Sequence, residues 1–465
     1  MDFFNVDIEM LHKLIAIAMS RGGDYADIFF EYSSLDEMQF KDRKVSSVGQ
    51  HVDYGVGIRV LKGEQTGYAY SESTQWDKMV KAAQTAATIA DGRVQAPCPV
   101  GVTEVSHGSY YPSQDSWKDC ETSSRIDFLQ RMNDSIYGLD GRITNVMVSL
   151  TSSFERILFF NSLGELAEDC GPMSSLGVSV VAKEGSRRET ASFSRSFRMG
   201  SEFLTDSLME ETAREVVARC SMLFTAGTVK GGTMPVVMGA GGSGILLHEA
   251  IGHAFEADFI RKGTSIFTDS LGKKICNEKI SVVDDGTIPF NRGSINIDDE
   301  GVPSQKTYMV KDGILTSFLH DRVSARHYGV APTGNGRRES FRFNPIPRMR
   351  ATYMENGDST KEDIIASVKN GVFLDTFSNG QVQIGAGDFT FYVKSGWLIE
   401  NGRLTQPLKD INVIGNGPQA LADIVAVASD CIIDNGKWTC GKEQYCPVSC
   451  GMPTVLVSQL SVGGL

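Results

Sequence analysis

Two imidazoles and a carboxylate lie close together in HEAIGHAFEAD, residues 248 to 258. His248 is followed directly by Glu249 and, after three more residues, by His253. Zinc accepts histidine nitrogen, cysteine sulfur and carboxylate oxygen, usually four ligands in all, and a catalytic site leaves one position to water. In H-E-x-x-H helices the Glu is the base for that water. Here the spacing is one residue longer. On an ideal helix four residues advance the face by about 400° and leave two side chains about 40° apart, whereas five advance it by about 500° and leave them about 140° apart. The pair can share an ion only through a local distortion: a π-bulge that absorbs the extra residue, or an end or bend at Gly252. The plain alternative is an amphipathic helix with one buried and one solvated His.

Other residues near the pair and along the chain carry chemistry too. Glu256, three residues after His253, is a rival third ligand, and Asp258 is expected to cap or pair nearby. His12, His51, His107, His320 and His327 lack a ligand partner at suggestive spacing and read as structural or surface, with His320, in SFLHDR, a candidate for a place near a site. The run Arg337, Arg338, Arg342, Arg348 and Arg350 reads as a polar wall for substrate or, preferably, as a buried loop whose guanidiniums satisfy carbonyls and acids. GAGGSG (239–244) is no phosphate loop, since it lacks a Gly-Lys-Ser/Thr ending, and no acid follows at dinucleotide spacing. No Gly-x-Ser-x-Gly elbow is present. Cys440, Cys446 and Cys450 lack the C-x-x-C spacing of structural zinc.

The elements that must position these residues follow from periodicity. Ser243 is the expected N-cap of a helix through ILLHEAIGHAFEAD. Upstream, residues 6–21 read as a helix, 27–72 as strands (IFFEYSS, MQFKD, YGVGIRVLK, TGYAYSE) and 74–91 as a helix. Residues 92–118 read as a linker or long loop. The order then recurs: a helix over 122–139, strands in NVMVSLTSSF, RILFFNS and VSVVAKE, and a helix over 207–224. After Gly227, short strands and hairpins dominate, with an Asn-Gly turn at 400–403. The expected fold is α+β: an N-terminal α+β region, 1–225, with two similar units at 1–92 and 119–225, then a β-rich C-terminal domain, 226–465, carrying the metal site.

Composition sets the outer limits. The chain has 465 residues, 41% hydrophobic and 22% charged, with net charge −12. That is ordinary for a globular protein and argues against a general nucleic-acid surface, which needs a basic face. The first residues, MDFFNVDIEMLHKL, lack the pattern of a signal peptide. The nine Cys are therefore expected to be reduced thiols in the cytoplasm. No stretch matches the roughly 20 apolar residues of a membrane span.

Beyond the pair, HEAIGHAFEADFIRKGTS resembles the H-E-x-x-x-H segment of the TldD/PmbA family, in its TldD branch. PTGNGRRESFRFNPIPRMRATYM (332–354), DYGVGIRVLKGEQTGYAYSE (53–72) and CGKEQYCPVSCGMPTVLVSQLSVGG (440–464) resemble other segments of that family, so the likeness covers nearly the whole chain. The resemblance implies zinc-dependent peptide hydrolysis, with an older label of modulator of DNA gyrase. It implies His248, His253 and Cys440 as metal ligands, and a dimer with itself or with a PmbA-like subunit that lacks the motif. The family segment carries a Gly where Glu443 here runs straight into Gln444, and Cys446 remains a competitor for Cys440.

Together these readings point to a zinc peptidase acting on unfolded or extended peptides, with Glu249 as general base. An extended peptide can add as a strand to a sheet edge. The rival is a non-catalytic binding or regulatory subunit of a TldD/PmbA-type complex, with its His pair unused. Metal content separates the two. Direct control of DNA topology is disfavoured by the acidic charge.

Overall fold

The computed structural model of the chain describes residues 1–92 and 101–464. Its first part contains α1 (Ile8–Met19), β1 (Tyr25–Lys41), β2 (Lys44–Lys62), β3 (Gln65–Ser71) and α2 (Trp76–Ala86). A two-residue β4 (Thr103–Glu104) follows, then α3 (Thr122–Leu139), β5 (Ile143–Asn161), β6 (Glu165–Glu184), β7 (Arg187–Phe197) and α4 (Asp206–Leu223). The two helix–strands–helix runs share one seven-stranded sheet, ordered β3-β2-β1-β5-β6, with β4 and β7 both paired to β6. The runs are joined through β1 and β5, antiparallel from Asp27 opposite Asn161 to Lys41 opposite Met147.

Strand periodicity decides what covers this sheet. Ala26, Ile28 and Phe30 of β1 pack with α1 and α2, and Met38 and Phe40 pack with α3 and α4. On β5, Val146, Val148, Leu150, Leu158 and Phe160 share that face. Neighbours in a strand point to opposite faces, so Phe29, Ile157 and Phe159 turn away and pack on Ile297 and Phe341 of the second half. Four helices thus cover one face, and the C-terminal half meets the other.

The strand boundaries depart from expectation in two places. IFFEYSS and MQFKD are one 17-residue strand, and NVMVSLTSSF and RILFFNS are one 19-residue strand. Leu35, Asp36 and Glu37 look like a break by polarity. They nevertheless pair with β2 on one side and β5 on the other, which satisfies their backbone groups in the ladder. The linker expected at 92–118 lies partly outside the described residues, and Cys98 with it. The eight described Cys are free thiols. No helix among the described residues is long and apolar enough to cross a membrane.

The C-terminal half is β-rich. β8 (Gly232–Met238) pairs with Asn370–Gln383, which pairs with Asp388–Glu400, and this in turn with Arg403–Asn416. Val455–Gly464 joins Arg403–Asn416 back to β8, closing a ring. The Asn401-Gly402 turn has positive φ at both residues, 52° and 75°, as a tight hairpin demands. A second sheet runs through Val282–Asp285, Ala351–Met354 and Ser449–Met452, and the hairpin Thr439–Lys442 with Gln444–Pro447 leads into it.

The Arg run takes the buried-loop role. Arg337 donates to the carbonyls of Met349 and Pro447, and Arg338 to that of Asp299. Only Arg342 is partly exposed, on Asp53 and Glu72. Arg350 is fully buried and meets Asp284, also 0% exposed, at 2.8 Å. Asn335 and Thr352 donate to the same carboxylate. Arg350→Met leaves that carboxylate buried without its cation, so the expected loss is about 3–5 kcal/mol. Denaturant unfolding measures it, and a change below about 1 kcal/mol would mean the pair holds little of the fold together.

Candidate metal centre

The motif segment folds as a distorted helix. A 3₁₀ turn at Gly242–Gly244 leads to a helical turn at Ile245–Leu247, then a π-helical turn at His248–Gly252 and a further 3₁₀ turn at His253–Phe255. The His253 N–H donates to the His248 carbonyl, an i→i+5 bond that winds five residues into one turn. That absorbs the extra residue and brings the rings together, with centroids 5.0 Å apart. Gly252 keeps ordinary helical angles, φ −58° and ψ −51°. Its role is room: a Cβ there would lie 2.2 Å from the Met349 sulfur. Ser243 is not the N-cap. It lies inside the 3₁₀ turn, and its hydroxyl donates back to the Gly239 carbonyl.

The third group arrives from the other end of the chain. Donor atoms of His248, His253 and Cys440 all lie within 4.8 Å of one another, and all three residues are buried. The Cys440 sulfur is 3.4 Å from His253 Nε2. Ligands at about 2.3 Å (sulfur) and 2.0–2.1 Å (nitrogen) in a tetrahedron stand about 3.3–3.6 Å apart, so the donor types and the 3.4 Å sulfur–nitrogen distance suit one zinc-sized ion, while the set as a whole spans up to 4.8 Å. His248 Nδ1 is buried and has no hydrogen-bond partner among the described residues.

The rival ligands lie elsewhere. Glu256 sits on the opposite edge of the His253 ring, its Oε2 2.9 Å from Nδ1. Cys446 is opposite Cys440 in the hairpin, yet its sulfur contacts Arg348 Nη1 at 3.4 Å. Neither belongs to the three-residue cluster. His320 is also outside it; burial pushes its imidazole down to about 4. Asp258 pairs, with Lys442 at 2.7 Å.

The electrostatics suit a cation. Burial pushes the Cys440 thiol up, but the imidazoles of His248 and His253 outweigh it and hold the thiol at about 4. Burial pushes His253 down, while the Glu256 carboxylate and Cys440 raise it well above the usual histidine range. Glu256, driven up by burial, is held at about 2 by Lys442 and His253. Cys440 is thus pushed toward thiolate and His253 toward its protonated form, each in part by the other.

Glu249 is not one of the three clustered donors. It is half-buried and lines a cavity of about 960 Å³ between the sheet face bearing Ser149, Ser179 and Ser192 and the C-terminal half at Thr376, Phe377 and Trp438. Sequence reasoning missed two residues around the centre. Lys442 is buried against Glu256 and Asp258, and its one sequence signal is its place two residues after Cys440. Arg348 donates to the carbonyls of Cys440 and Gln444, clamping the hairpin, and nothing in the Arg run distinguished it.

Comparison with known proteins bears on this geometry. Residues 26–90 match the model for PmbA/TldA metallopeptidase domain 1, 115–223 the central domain, and 231–464 the C-terminal domain. A metalloprotease TldD homolog of Haemophilus influenzae is 37% identical over 99% of this chain and 97% of its own. A zinc metalloprotease TldD homolog of Saccharolobus solfataricus is 29% identical over 98% of this chain and 100% of its own. A Thermotoga maritima structure described as a candidate modulator of a DNA gyrase superposes with TM-score 0.80 at 22% identity, covering 98% of this chain and 99% of that one. With matches running the length of the chain, from the N-terminal sheet to the strand that closes the C-terminal ring, the chain belongs to the PmbA/TldD family of metallopeptidases.

Proposed function

We propose that the protein is a zinc-dependent peptidase that hydrolyses unfolded or extended peptides, with His248, His253 and Cys440 holding the ion and Glu249 as general base. The observation that carries this reading is the π turn that brings both imidazoles to the Cys440 sulfur. The name of the Saccharolobus relative supports zinc, as does the soft thiolate in the donor set. A zinc ion held by His248, His253 and Cys440 would supply a bound water with a pKa of about 7 and Lewis-acid polarisation of a peptide carbonyl. The Glu249 carboxylate takes a proton from the attacking water and passes it to the leaving amine.

The cavity suits an extended chain. β8 pairs with Asn370–Gln383 only at Val372–Leu374. Among the described residues no other strand takes that edge beyond Leu374, where Thr376, Phe377 and Ser378 line the cavity. A peptide adding there would be held by main-chain bonds. In this reading 1–225, with its units 1–92 and 119–225, supplies one wall, and 226–465 carries the metal. A second copy or a PmbA-like subunit is the expected partner, and the free thiols favour a reducing cytoplasm.

Treatment with a chelator is expected to abolish hydrolysis of an unstructured peptide, and added zinc to restore it. Zinc must displace the His253 proton, so affinity rises with pH below that group's raised pKa, by about tenfold per unit for one proton released. Hydrolysis that survives complete metal removal would overturn the reading.

A further inference from the structure

Two charged side chains beside the centre have no part in the chemistry above, yet both are buried. Glu256 is 0% exposed, and the Lys442 side chain 4%. Burying charge is costly unless each group is paired and hydrogen-bonded. Here the pairing runs between the two ligand-bearing segments. Glu256 Oε2 accepts from His253 Nδ1 at 2.9 Å and lies 3.1 Å from Lys442 Nζ. Lys442 also donates to Asp258 at 2.7 Å and to the Pro347 carbonyl at 3.1 Å. Glu256 follows the 3₁₀ turn that begins at His253, where the chain turns extended at φ −70° and ψ 122°. Lys442 ends the strand that carries Cys440.

We propose that Glu256 and Lys442 are positioning residues that lock the His253 ring and the Cys440 strand in one arrangement for the metal, a role that rests on the ligand reading above. Glu256 holds Nδ1 as a hydrogen-bond donor, which leaves Nε2, the nitrogen facing Cys440, as the metal-binding edge. Lys442 ties that carboxylate to the other ligand's strand, so the two halves of the centre share one ion pair. A carboxylate behind a ligating histidine orients the ring and raises its basicity, and losing such a partner typically costs about 10–100-fold in metal affinity.

The test measures zinc affinity by chelator competition in the full-length protein. Glu256→Gln keeps the shape and an acceptor for Nδ1 and leaves Lys442 paired with Asp258, so the fold is expected to survive; thermal unfolding of the zinc-free protein checks it. The expected result is zinc binding weaker by about 10–100-fold. The cobalt(II)-substituted variant should keep the wild-type visible spectrum, because the ligands are unchanged. Lys442→Met should weaken zinc in the same direction, and Glu256→Asp should recover part of the loss. Affinity within about twofold of wild type in Glu256→Gln overturns the proposal, and so does a cobalt spectrum showing a changed ligand set, which would make Glu256 a ligand. Failure of the wild-type protein to take up zinc is a separate outcome that removes the ligand reading itself.

Discussion

Glu249→Gln is expected to lower peptide hydrolysis by about 10²–10⁴-fold, the usual contribution of a positioned general acid–base, while zinc content stays at the wild-type level. The substitution conserves shape and removes only the ability to take a proton. Glu249 is half-buried in the cavity wall, and no hydrogen bond to its carboxylate is found among the described residues, so no structural network depends on its charge. It stands outside the three-donor cluster, so the ion has no reason to leave. Turnover of an unstructured peptide, measured beside metal analysis of the same sample, reads both halves of the claim. A kcat within a few-fold of wild type, with metal present, would remove Glu249 from the chemistry.

Cys440→Ala should act through the metal instead. If about 10–16 kcal/mol of zinc binding is spread over four ligands, each carries about 2.5–4 kcal/mol, so affinity should fall by about 10²–10³-fold and activity with it. The remaining imidazoles also lose the thiolate that favours a cation among them. Cys446→Ala is the internal control. Its sulfur lies against Arg348, and burial pushes its thiol up, so zinc affinity should stay near wild type. The reverse pattern, with Cys446→Ala losing zinc and Cys440→Ala keeping it, would exchange their roles.

The sequence by itself determined the elements. Alternating apolar residues specified the faces of the N-terminal sheet, and the helices of the two runs fall close to where periodicity puts them. It also narrowed the geometry of the motif: with the imidazoles five positions apart, a straight helix does not serve, and a π-bulge is one of two ways out. What it could not decide was how distant segments meet. Local pattern makes IFFEYSS and MQFKD look separate, because a polar stretch reads as a turn until neighbouring strands satisfy its backbone. Spacing alone left Glu256 and Cys446 as rivals to Cys440. Only the tertiary structure shows Glu256 on the wrong edge of the His253 ring and Cys446 held by Arg348. Lys442 had only its place two residues after Cys440 to mark it, since a lysine reads as surface until a carboxylate from nearly two hundred residues away pairs with it inside. The chemistry of a residue is local and readable, but which atoms it faces is set by long-range packing, and that is where the centre is made.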